Sequence, residues 1–178
     1  AHSRAAKRYF SAFQHTEAAF GPVGADCPSL KESEEVVYVI GMVAGVLSVL
    51  HDRSSGGLAG IPLDLLPQIA RGAQCVDNES WWHAPQAIQG AVWATIPGSG
   101  PDGTDPWALL GEAASEGGSS GVRVGWAIHS LIAANAGRDD LLREGIAAHG
   151  ASLEAVPMSV EWALLDEYAF WVAQHQSD

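Results

Sequence analysis

The chain predicts an all-α protein of about eight helices around a buried central helix. Three observations carry this. Apolar residues recur at three- and four-residue steps along most of the 178 residues, no segment alternates with period two, and Gly, Pro and Asp fall where helices stop and start. The length suggests one domain, 1–178, long enough to bury a core without staples.

The first helix is His2–Phe20, with Ala6, Tyr9, Phe10, Phe13 and Ala19 on its apolar steps and Gly21-Pro22 ending it. Ser29-Leu30-Lys31-Glu32 has the spacing of a capping box, and acids in that first turn suit the helix dipole. The centre follows. Val36–Leu50 has no charged residue. Val36, Ile40, Val43, Leu47 and Leu50 share one stripe, while Val37, Gly41, Ala44, Gly45 and Ser48 form a second, mostly of small residues that admit a close neighbour. A bilayer span needs roughly 20 apolar residues. This run is shorter, and Glu32, Glu34 and Glu35 flank it on one side and His51, Asp52 and Arg53 on the other, so it reads as the core helix of a soluble protein.

Arg53–Gly60 is a glycine-rich flexible loop without the Lys-Ser/Thr of a P-loop. Pro62–Gln74 is a short helix opened by Asp64 and Pro67. Asp77–Ser80 starts an aromatic element with Trp81, Trp82 and Trp93, ending at Pro97. Gly98–Thr104 is the clearest loop. Asp105-Pro106 caps the helix Trp107–Ser115, and Glu116–Gly121 breaks it. Val122–Ala136 is helical and nearly uncharged, with Gly137 as its C′ residue. Asp139–His149, closed by Gly150, and Met158–Gln174, opened by Pro157, complete the set, and the tail 174–178 frays. Asp64-Leu65-Leu66 with Ile69-Ala70 resembles Asp140-Leu141-Leu142 with Ile146-Ala147. This suggests two similar halves, 36–96 and 122–174; chance likeness among Ala/Leu/Gly helices is the other explanation.

Composition limits the function. Twenty-one acids against nine bases give a net charge of −12, which argues against nucleic acid and anionic membranes as partners. Only 17% of residues are charged, too few for a decoy surface that mimics nucleic acid. Seven Trp and seven His are the unusual feature. Cys27 and Cys75 have no metal or redox spacing. Buried reduced thiols, and with them a cytoplasmic protein, are the ordinary expectation; one disulfide would mean export.

Few residues offer chemistry. His129 lies mid-helix among Trp126, Ile128, Leu131 and Ile132, placed to be a general base or a polar anchor, though a lone His on an apolar helix is more often a satisfied core residue. Burial would disfavour its charge unless an acid such as Glu112 or Asp166 stands near. Trp81-Trp82-His83 puts adjacent indoles on different faces: an exposed one would mark a ligand or partner site, though a packed helix start is the more ordinary reading. The expected site is therefore His129 as the catalytic group, with Trp126, Trp82, His83 and Trp171 lining a ligand pocket. No metal is expected, since His51, His83, His129 and His149 are scattered and neither HExxH nor ExxH occurs. No cofactor motif and no G-x-S-x-G is present.

His129, Gly137, His149 and Val156-Pro157 follow the spacing H-x7-G-x11-H-x6-V-P. Over about thirty residues this resembles the C-terminal part of carboxymuconolactone decarboxylase and alkylhydroperoxidase-D-like helical domains. The resemblance implies an all-α fold, a His-lined pocket and oligomers. Leu141-Leu142 replace the acidic pair usual in that family, and the absence of CxxC before His129 rules out its thiol peroxidase chemistry. Two functional expectations follow. One is a small-molecule-binding protein or cofactor-free enzyme taking an apolar or aromatic ligand. The other is an acidic interaction module (inhibitor, immunity or regulatory protein) that meets a protein partner or its own copy and does no catalysis.

Overall fold

The computed structural model describes residues 1–177 as eight helices, with no strand among them. They are α1 His2–Phe20, α2 Glu32–Ser54, α3 Leu65–Ala73, α4 Ala84–Thr95, α5 Pro106–Ser119, α6 Val124–Asn135, α7 Asp139–Ala155 and α8 Ala163–Ser177. The chain divides into two compact units, Ala1–Asp77 and Asn78–Asp178.

In the first unit α2 packs against α1 and α3. Its stretch 44–50 is buried throughout, whereas Val37 and Ile40, nearer its start, face outward. The small residues have the role their spacing suggests. A Cβ at Gly41 would collide with the Thr16 side chain of α1, and one at Gly45 would meet Ile69 of α3 and Phe13 of α1. With 23 residues and a stretch of mean hydropathy 1.7, α2 is longer than its uncharged run and is long and apolar enough to cross a bilayer, yet 61% of that stretch is packed inside the protein. Its start differs from the capping box expected at Ser29. Lys31 is the N-cap residue, and its amide donates to the Glu34 carboxylate at 2.8 Å. The Arg53–Gly60 loop is tied down rather than free, because the Asp52 carboxylate accepts the amides of Ala59 (2.7 Å) and Ile61 (2.8 Å).

Cys27 and Cys75 form a disulfide across this unit, Cα–Cα 5.2 Å. The expectation of two buried thiols is corrected by their placement: Cys27 is exposed and Cys75 half-buried, where packing alone would not retain a thiol.

In the second unit α6 is the element the others share, in contact with α4, α5, α7 and α8. The boundaries shift for physical reasons. Residues 78–83 form turns, and the helix starts only at Ala84. α5 continues through Gly117 and Gly118, where a break was expected. At those positions only glycine lets the Trp82 carbonyl and Ser152 approach. α7 runs past Gly150 to Ala155. The last helix starts at Ala163 rather than Met158 and stays helical through the residues expected to fray, with Asp178 outside the described residues.

Candidate functional site

His129 is 2% exposed on α6. Trp126, one turn before it, meets the ring edge to face (centroids 5.6 Å, 68°), and Trp107 from α5 does the same (5.8 Å, 74°). α7 closes the remaining side through Gly145, where a Cβ would stand 2.6 Å from His129 Nδ1 and 2.9 Å from Ser130 Oγ. Both of those buried atoms lack a hydrogen-bond partner. So do both ring nitrogens of His149, which lies one turn after Gly145 on α7. Burial lowers the pKa of His129, and the nearby Glu144 carboxylate opposes that shift. Burial lowers His149 too, with Asp166 opposing and Arg123 adding to the shift. A neutral, buried imidazole with one idle nitrogen can accept or pass a proton only to something that reaches it.

Beside this seam lies a fully paired ion network. Arg123, 0% exposed, donates to Asp166 (2.6 Å), to Ser152 Oγ (3.1 Å) and to the Ser152 and Val156 carbonyls. The Asp166 carboxylate also accepts the Arg123 amide at 2.8 Å. This network fixes the starts of α6 and α8 and the end of α7. The acid that opposes the burial shift of His129 is Glu144, rather than the Glu112 or Asp166 that the sequence suggested.

Trp82 and His83 occupy a different place. Trp81, Trp82 and Trp162 form a three-way edge-to-face cluster with centroids 4.7–5.9 Å apart. Trp82 (φ 51°) and His83 (φ 56°) are both left-handed, a conformation that costs energy in residues this bulky. Asn78 sustains it. Its Nδ2 donates to His83 Nδ1 (2.8 Å) and to Gln86 Oε1 (2.8 Å), and its Oδ1 accepts the Gln86 amide (3.0 Å). This arrangement leaves the His83 proton on Nε2. Trp82 is 8% exposed, so neither indole of the pair is the free one that the adjacent spacing suggested.

Trp171 faces out from α8, half exposed, against Tyr168 (centroids 6.0 Å) and His175 (4.1 Å). Of the five expected site residues, the structure brings His129 and Trp126 together. Trp82 belongs to the indole cluster, His83 is held by Asn78, and Trp171 lies on the surface of α8. The second ring at His129 is Trp107, from the start of α5.

The α8 arrangement was also missed. The helix buries its small residues Ala169, Val172 and Ala173 with Asp166, and exposes Leu164, Tyr168, Phe170 and Trp171 (83%, 39%, 41% and 51%), Phe170 lying off the face that the other three share. The signal was present, since 164, 168, 171 and 175 are spaced by four, three and four. Among the described residues no group of three or more His, Cys, Asp or Glu is placed to hold a metal ion. No family model, curated protein or solved structure matches this chain.

Proposed function

We propose that this chain is an acidic helical interaction module that binds a protein partner through α8. The observation that carries the reading is the inverted helix: Leu164, Tyr168 and Trp171 outward, alanine and valine inward. Burying small residues while exposing large aromatics is costly for a free surface and useful at an interface, where Trp and Tyr are the usual anchors. The net charge of −12 fits an inhibitor, immunity or regulatory protein. The Cys27–Cys75 bridge supports an oxidising compartment and hence export.

A second reading retains the small-molecule site. The idle His129 Nδ1, edged by Trp107 and Trp126, favours an apolar or aromatic ligand there, in an enzyme or a binder. The resemblance to carboxymuconolactone decarboxylase-like domains would place the same His at a pocket and would bring oligomers. Native mass spectrometry of the chain recovered from its own cells separates the two. The interaction reading expects a protein-sized addition that Trp171→Ala removes and His129→Gln keeps. A small mass that His129→Gln removes, with none of protein size, overturns it in favour of the ligand.

A further inference from the structure

The outward row of α8 has both a shape and a charge. Leu164, Tyr168, Trp171 and His175 fall within one face of the helix and span three turns, about 16 Å. Its own segment carries acid: Glu167 borders the row and Glu161 stands exposed in the turn before α8, while Arg143 on α7 is the last Lys or Arg in the sequence. Asp166 on the same helix is already neutralised by Arg123.

Resting on the interaction reading above, we propose that the occupant of this face is a basic amphipathic helix of a partner protein, with apolar anchors at i, i+3, i+4 and i+7 flanked by Lys and Arg. Three turns of aromatic and aliphatic side chains are the complement of such a helix. The carboxylates beside them would meet its cations, speeding encounter and rejecting acidic competitors. The same carboxylates disfavour the other occupants. Two copies of a −12 chain would set Glu161 and Glu167 against their own likes, and an anionic bilayer would be repelled.

The test uses the full chain and two fluorescein-labelled helical peptides of about 18 residues, five turns each. Both carry the same leucine face, one with Lys at every other position and one with Glu. Anisotropy should show the Lys peptide binding at least about tenfold tighter than the Glu peptide. Trp171→Ala should weaken it about tenfold or more, as truncation of a central aromatic does. Glu161→Gln with Glu167→Gln should weaken it severalfold. Circular dichroism confirms that each variant is folded, and Trp171→Phe should restore most of the binding. Equal binding of both peptides through Trp171 overturns the basic partner but leaves the interaction surface standing. Lys-peptide binding that ignores Trp171→Ala is general attraction to an acidic chain and overturns the proposal. Failure of both peptides together with a Trp171-dependent dimer in sedimentation makes a second copy the occupant and overturns it too. Failure of both without a dimer overturns the proposal and the reading beneath it.

Discussion

Gly45 is a position where α2 packs closely against α1 and α3 at once. A Cβ there would stand 2.5 Å from Ile69 Cδ1 and 2.7 Å from Phe13 Cδ2, against an optimum of about 3.5–4.0 Å for carbon pairs. Each neighbour must retreat by about 1 Å. Ile69 can rotate its terminal methyl away. Phe13 is a ring with 0% exposure, and it moves only if α1 moves. Gly45→Ala gains about 1 kcal/mol of helix propensity and loses about 1–3 kcal/mol to overpacking, so it should be neutral to modestly destabilising. Gly45→Leu pushes three further carbons into the same gap and should lose about 3 kcal/mol, the upper end of that range. Gly150 on α7 is the control. Nothing lies within 4 Å of its Cβ position, and Gly150→Ala should gain about 0.5–1 kcal/mol. Urea unfolding by far-UV circular dichroism measures each change, and hydrogen exchange on peptides from α1, α2 and α3 locates it. Gly45→Leu with unchanged stability and unchanged protection in those three helices would refute the packing described for them.

Three further outcomes are expected. Reducing Cys27–Cys75, whose partners are 48 residues apart, should cost about 4 kcal/mol by chain entropy and lower protection in α1–α3; an unshifted urea midpoint in reductant would contradict this. Asp166→Asn leaves the fully buried Arg123 guanidinium without its counter-charge and should cost about 3–5 kcal/mol, whereas an effect under about 1 kcal/mol would mean that the pair is open to water. His129 and His149 have folded pKa values lowered below 6.5 by burial, so the unfolded chain takes up protons first as pH falls. Their contribution to stability is therefore full above about pH 7 and declines as pH drops through 6.5 toward the lowered folded values; urea midpoints from pH 8 to 5 should show this slope, and His129→Gln with His149→Gln should flatten it.

Helix content was legible because it is local. Apolar steps, Gly-Pro stops and the Asp105-Pro106 start are readable without neighbours, and Asp105 does accept the Trp107 and Ala108 amides as its spacing implied. Glycine misled in both directions. Gly117, Gly118 and Gly150 looked like breaks, but helix continuity at the first two is decided by what packs on them, which no local pattern encodes. The turn at 78–83 has no local signal because its left-handed Trp82 and His83 depend on Asn78 side-chain bonds. The site was less legible than the fold. His129 and Trp126 are one turn apart on one helix and could be paired from spacing, whereas Trp107 reaches them from another helix. Arg123 and Asp166 are 43 residues apart and offer no sequence signal of pairing. The expected pocket took in Trp171, but α8 turns that ring to solvent. Its 3–4 spacing fixes which residues share a face but not which face turns inward.

The exposed row of α8 is tested most directly by hydroxyl-radical footprinting of the seven tryptophans, in the isolated chain and in the complex recovered from cells. The account predicts that Trp171 is oxidised before Trp81, Trp82 and Trp126 in the isolated chain, and that complex formation protects Trp171 and Tyr168 while leaving the other rates unchanged. Trp171 already protected in the isolated monomer, or equally reactive in the complex, would contradict it.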